Sequence, residues 1–219
     1  MLVSERELGS PDRVGALRKM LEPGSLPAPV AFHLRARLAG RELFAATEMV
    51  RDLAARETRP GRAHPIVVNG RVDIALAAGA AAVQLGRGAL PVGAVRGLVS
   101  HTRGLPSVAI GKSVHSAGEA AAAAAEGVDW VIAGHVFDTD SHSGTPGRGI
   151  GWLASVVTRA GDLPVIAIGG IVARRVDALR QTGVWGVAVS GAVWAGRDPV
   201  ETVRELTAIR WPTAPDCTV

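Results

Sequence analysis

The chain has 219 residues, 47% of them hydrophobic, and a formal net charge of +4. That length supports one sizeable core and is short for two complete domains, and a single cysteine, Cys217, excludes an intrachain disulfide framework or a cysteine-based metal site. The basic residues are nearly all arginines, scattered among acids with no aromatic stripe beside them, and no apolar run approaches membrane-spanning length, so neither a nucleic acid nor a membrane is the expected partner.

The N-terminus lacks the basic-then-apolar pattern of a secretory signal, so a cytoplasmic location is expected. Twenty-seven glycines and only 4% aromatic residues leave most of the packing to alanine and valine. That suits helices laid closely on a parallel sheet.

Short apolar runs recur along the chain and predict strands at 2–4, 30–34, 66–68, 82–84, 107–110, 130–133, 165–168 and 186–189. Amphipathic stretches lie between them. The stretch 42–56 repeats Leu43, Met49, Val50 and Leu53 on one face. The stretch 116–126 starts on a Ser116 cap, carries Glu119 at its third position and runs through a string of alanines. Alternating strands and helices imply parallel βαβ units with right-handed crossovers. Eight of them in just over 200 residues predict an α/β fold, a compact (β/α)8 TIM barrel forming a single domain over residues 1–210. An open doubly wound sheet is the alternative. Residues 211–219, with two prolines and no periodicity, read as a loose tail.

Barrel chemistry collects where strands end at their C-termini. The residues just after each apolar run are therefore the candidates: Arg35 and Arg37, Asn69 and Gly70, Gln84, Lys112 and Ser113, His135 with Thr139, Gly169 and Gly170, and Ser190 with Gly191. The seventh and eighth strands break at Gly169-Gly170 and after Val189 at Ser190-Gly191, in the two positions where barrels often hold phosphate on backbone N–H groups. A tight βα turn is the other reading of the glycine pair. His135 follows an apolar strand and Gly134, and an imidazole near neutral pH can give or take a proton; a purely structural histidine is the other reading. His115 sits where a helix starts and reads as a capping or packing residue, His142 is either an anion contact or an exposed loop residue, and His64 and His101 have no site context. No H-x-H or HExxH spacing and no cluster of strand-end carboxylates is present, so no metal is expected.

Several of these stretches, taken together and in order, resemble the thiamine phosphate synthase/TenI superfamily: VVNGRVDIALAAGAAAVQLG (67–86), IGKSVHS (110–116), GHVFDTDSHSGTPGRG (134–149), PVIAIGGI (164–171) and GVAVSGA (186–192). The resemblance runs from residue 2 to the last helix and implies a (β/α)8 barrel. It also implies self-association into a homo-oligomer. One branch of the superfamily, thiamine phosphate synthase, condenses a thiazole phosphate with a pyrimidine pyrophosphate and uses Mg²⁺. Where its magnesium carboxylates lie, this chain has Gly70 and either Ala89 or a neighbour; where it has Gly-Pro, this chain has Gly134-His135.

The other branch, TenI-like thiazole tautomerase, carries Asn-Gly-Arg, a glutamine in the fourth strand and GHVFxTD. They match Asn69-Gly70-Arg71, Gln84 and the run from Gly134. The resemblance to this branch implies isomerisation of the product of thiazole synthase, the upstream partner, into aromatic 2-carboxythiazole phosphate. A proton leaves the ring carbon bearing the carboxylate and one is added at the exocyclic carbon, with no cofactor. His135 takes the place of the acid/base. Implied substrate contacts are Gly169, Gly170, Val189 and Ser190 for phosphate, Arg35 with Lys112 and Ser113 for carboxylate, and Asn69, Thr139 and Ser141 around the ring and loop. His142-Ser143 stand where TenI proteins often carry lysines. Synthase activity and a non-catalytic, regulatory phosphate-ligand binder are the alternatives.

Overall fold

The computed structural model describes residues 2–5, 10–102 and 107–209; the tail expected over 211–219 lies outside them. Eight strands alternate with helices: β1 (Leu2–Glu5), α1 (Pro11–Met20), β2 (Ala31–Leu34), α2 (Gly40–Ala54), β3 (Ile66–Asn69), α3 (Val72–Ala77), β4 (Ala82–Leu85), α4 (Val92–His101), β5 (Ala109–Val114), α5 (Ala117–Ala125), β6 (Trp130–Gly134), α6 (Gly149–Ala160), β7 (Val165–Ile168), α7 (Val176–Arg180), β8 (Gly186–Val189), α8 (Gly191–Trp194) and α9 (Pro199–Ala208).

All the strands are parallel and pair in chain order. β2 to β8 form a curled sheet of seven strands. β1 pairs with β2 over four residues and with β8 through Leu2↔Ala188 and Val3↔Val189, which gives the strand order of a closed barrel rather than an open doubly wound sheet.

The alternation along each strand divides the core into two layers. Val67, Ala82, Ile132, Ile166 and Ala188 point to the sheet's inner side and pack with Ala31, Ala109, Trp130 and Ile168. Their neighbours, such as Phe32, Val68, Val83, Ile110, Val131 and Val187, face outward into the helices. Two-sided burial explains why these strands read as unbroken apolar runs.

The helices follow their capping chemistry. In α5 the Ser116 hydroxyl accepts from Glu119 N–H at 3.0 Å, and Glu119 in turn accepts from His115 N–H at 2.7 Å. His115 is thus part of a cap, as the sequence suggests. α2 begins two residues before the expected 42, because Glu42 reaches back to accept from Ala39 N–H at 3.2 Å. Its buried face runs Leu43, Thr47, Val50 and Ala54, and the Thr47 hydroxyl is satisfied by the Leu43 carbonyl at 2.7 Å. Among the described residues no helix is long and apolar enough to cross a membrane.

The segment after α2 is held by one carboxylate. The Glu57 side chain, only 3% exposed, is gripped by the Arg59 guanidinium and also accepts from Arg59 N–H at 3.0 Å and Gly24 N–H at 3.2 Å. These bonds, led by the Arg59 side chain, hold its carboxyl at about 2, well below its ordinary 4.5. A depressed folded-state pKa stabilises the fold fully above the unfolded value and loses that contribution as the pH falls toward 2. Glu57→Gln is therefore expected to lower the thermal midpoint at pH 7, with the gap to the wild type narrowing as the pH drops from 5 to 3. A gap that stays constant across that range would contradict the assignment.

Candidate active site at the strand ends

The inner positions change from apolar to polar toward the C-terminal ends. Asn69 pairs in register with Gln84, Gln84 with Gly111, and Gly111 with Trp130. His33, on the inner parity of β2 and 3% exposed, bonds through Nε2 to Asn69 Oδ1 at 3.2 Å. Arg35 follows β2 on the same parity as His33 and is half-buried. The Gln84 amide, 1% exposed, accepts from Trp130 Nε1–H at 3.0 Å and donates to Ser113 Oγ at 3.1 Å. This bridge crosses Gly111, where any Cβ would overlap both the indole and the amide.

β5 runs four residues beyond its expected end at 110, through Lys112 and Ser113 to Val114. Alternation then separates the two polar residues. Ser113 lies on the inner parity, while Lys112 Nζ reaches Glu126 at 2.5 Å. Lys112 is thus engaged by a carboxylate at the end of α5 and does not face the barrel centre, which corrects its expected role as a carboxylate contact. A recess of about 270 Å³ lies on the helix side of β4 and β5, between α4 and α5, lined by the Lys112–Glu126 pair and Glu119 as well as by Ser113.

β6 delivers His135 directly. The strand ends at Gly134, where a Cβ would come within 2.6 Å of the Ile168 carbonyl oxygen, so only glycine lets β6 press this closely on β7. His135 is 7% exposed. Its Nε2 lies 3.2 Å from both the Thr145 and Pro146 carbonyl oxygens. Carbonyls only accept, so Nε2 carries the proton and Nδ1 of the neutral ring carries the lone pair. The His142 ring stacks on His135 with centroids 4.5 Å apart and planes 16° apart. Residues 138–148 thereby fold over the imidazole. Asp138 accepts from Gly147 N–H at 2.7 Å, and Arg148 N–H donates to the His135 carbonyl at 3.2 Å. Thr139 is half-buried at the start of the short 3-10 turn Asp140–His142, and Ser141 is exposed within it.

Gly169 and Gly170 lie against this loop. Both have positive φ, +105° and +63°, and a Cβ on Gly169 would sit 2.7 Å from His135 Cα. Phe137 N–H donates to the Gly169 carbonyl at 3.1 Å, and the Arg175 guanidinium donates to the Gly170 carbonyl while lying 4.5 Å over the Phe137 ring. The glycine pair makes a tight turn that seats the His135 segment. The register Ile168↔Ala188 also puts this turn beside Val189 and Ser190, leaving a shared backbone corner. His64 stands apart as a structural residue. Its Nδ1 accepts from Val30 N–H at 3.2 Å, and burial pushes its pKa down.

One end of the sheet therefore gathers His33, Asn69, Gln84, Ser113, His135, Gly169, Gly170, Val189 and Ser190. Reading the sequence missed His33, the Trp130 bridge and the His135–His142 stack. His33 has a findable signal, since it lies two residues before Arg35 on the same face of a period-two strand.

Fold and site together define a parallel α/β protein with a buried histidine at the end of one strand and neutral polar side chains on the inner face of its neighbours. The chain belongs to the TMP-TENI family, whose model, described as thiamine monophosphate synthase, matches residues 1–193. It is 40% identical over 171 residues to a thiamine-phosphate synthase of Methanoculleus marisnigri, spanning 78% of this chain and 76% of that one. It is 34% identical over 208 residues to a thiamine-phosphate synthase of Desulfitobacterium hafniense, spanning 94% and 93%. The solved thiamine phosphate pyrophosphorylase of Pyrococcus furiosus superposes with a TM-score of 0.76 at 30% identity, covering 94% of this chain and 92% of that one.

Proposed function

We propose that the chain is an enzyme of thiamine biosynthesis with a (β/α)8 barrel, and that it acts as a thiazole tautomerase. Family membership supports the pathway. The observation that carries the reaction type is His135, buried at the end of β6, with Nε2–H tied to two carbonyls and Nδ1 left as the proton acceptor. In this reading Nδ1 takes the proton from the ring carbon bearing the carboxylate and returns one at the exocyclic carbon. The gain in aromaticity drives the step. The backbone corner of Gly169, Gly170, Val189 and Ser190 holds the phosphate, with Arg35, Asn69 and Ser113 toward the carboxylate and ring, and Thr139 and Ser141 above.

The names of the relatives favour a second reading, thiamine phosphate synthase. That condensation uses Mg²⁺, a hard cation bound through carboxylate oxygens and waters. At the corresponding strand ends this chain has Gly70, and Ala89 between Gly88 and Leu90, none with a side-chain oxygen. Among the described residues no group of three histidine, cysteine, aspartate or glutamate side chains is arranged to hold a metal. The residues present do not fit the ion, and no step is derived through it. Incubation with thiazole phosphate, pyrimidine pyrophosphate and Mg²⁺ separates the readings. Thiamine phosphate is expected to stay at background, and turnover at the rate of a dedicated synthase would replace the tautomerase with the second reading.

A further inference from the structure

We propose that Trp130 and Gln84 are positioning residues that fix the hydrogen-bond polarity of Ser113, so that Ser113 presents its hydroxyl proton to an acceptor atom of the ligand. The proposal rests on the tautomerase reading only in naming that acceptor as the ligand's carboxylate.

An indole N–H can only donate. Trp130 Nε1–H meets one end of the Gln84 amide at 3.0 Å, so that end is the carbonyl oxygen and the amide cannot turn over without setting two donors face to face. The other end is therefore the NH2, and it lies 3.1 Å from Ser113 Oγ. Ser113 thus accepts from Gln84, and its own proton points to another acceptor. Gln84 is 1% exposed, so water does not compete for the amide, and the chain Trp130→Gln84→Ser113 has one direction. Gly111 makes the geometry possible, because the indole and amide meet over the place its side chain would fill. Ser113 ends the chain on the inner parity of β5, half-buried, near the strand's C-terminal end. A hydroxyl held as a donor in such a place suits an anionic oxygen and disfavours a ligand amine or hydroxyl proton. The device is neutral, so it offers a donor without adding charge to the inner face of the sheet.

The test has two arms. The first needs no ligand. In a Cys217→Ser background, Ser113→Cys puts a thiol where the hydroxyl was. An amide N–H donating to sulfur favours the thiolate. The alkylation rate with iodoacetamide, followed against pH, is expected to titrate below the ordinary cysteine value of about 8.5. Adding Gln84→Met removes the donor without adding charge and should raise that titration by about one unit, while Trp130→Phe, which frees the amide to rotate, should recover part of the rise. A thiol that titrates identically with and without Gln84 overturns the proposal; a merely structural glutamine leaves that titration unmoved.

The second arm measures binding of 2-carboxythiazole phosphate by calorimetry. Ser113→Ala and Gln84→Met are each expected to weaken it about ten-fold, and the double variant should be no weaker than the single ones. The decarboxylated thiazole phosphate should bind wild type and Ser113→Ala alike. Effects that multiply in the double variant overturn the coupling. A wild-type protein that binds neither thiazole removes the tautomerase reading, while the thiol titration still decides the polarity of Ser113.

Discussion

His135→Asn is expected to lower isomerisation of the non-aromatic carboxythiazole phosphate by about a thousand-fold, in the range that general acid–base catalysis contributes. Asparagine keeps the Cβ that rests on Gly169 and the backbone bonds through Arg148 N–H and the His135 carbonyl, so the strand end keeps its shape. What it removes is the imidazole lone pair at Nδ1. The loss should fall on kcat, with product binding nearly unchanged, because the proposed phosphate contacts at Gly169, Gly170, Val189 and Ser190, and Ser113 on β5, stay in place. Isomerisation at the wild-type rate would remove His135 from the chemistry.

Gly169→Ala is expected to be the most damaging single methyl in the site. The residue has φ +105°, which L side chains rarely adopt, and the added Cβ would sit 2.7 Å from His135 Cα and 3.1 Å from the Val136 nitrogen. Backbone strain and overpacking each cost about 1–3 kcal/mol, so a destabilisation of roughly 2–6 kcal/mol follows. At about 2–4 °C per kcal/mol for a chain of this size, that lowers the thermal midpoint by roughly 4–24 °C. Activity should fall along with stability, because the methyl pushes against His135, the proposed acid/base. Gly151→Ala is the contrasting control. Gly151 is in α6, exposed, with nothing within 4 Å of the new methyl, and alanine there should raise stability by about 0.5–1 kcal/mol. A thermal midpoint for Gly169→Ala equal to that of the wild type would contradict the packing described between β6 and β7.

The features legible in the sequence are those that local chemistry dictates. Strands β6, β7 and β8 read within a residue of their bounds, because two-sided burial makes them apolar runs ending at Gly134, Gly169 or Ser190. The Ser116–Glu119 cap read correctly because both partners lie in one turn. The expected end of β5 at 110 falls four residues short because Gly111, Lys112 and Ser113 look like a strand end. They are interior residues whose polarity belongs to three places: a cradle for Trp130, a pair with Glu126, and the inner floor. The error in Lys112 follows from the same cause, since a rim lysine and an outward strand lysine differ only by the strand's length.

The surroundings of His135 were less legible than its position. The carbonyls of Thr145 and Pro146 carry no side-chain signal, yet they set the tautomer. The ring of His142 stacks on His135 only because the loop folds back through Asp138 and Gly147. That stack gives a use for His142, which stands where a lysine is usual in the family resemblance. Gly169 and Gly170 were legible as a turn, but their service to the His135 segment depends on β6 and β7 being neighbours, which is a tertiary fact.

In the proposed function the chain moves a proton and needs no metal to do so. The most direct measurement is the rate at which purified wild-type protein, in excess chelator, converts the non-aromatic carboxythiazole phosphate to the aromatic 2-carboxythiazole phosphate in deuterated water. A rate far above the uncatalysed one is expected, unchanged by the chelator, with deuterium appearing at the exocyclic carbon. A conversion no faster than in buffer alone, or one abolished by the chelator, would contradict it.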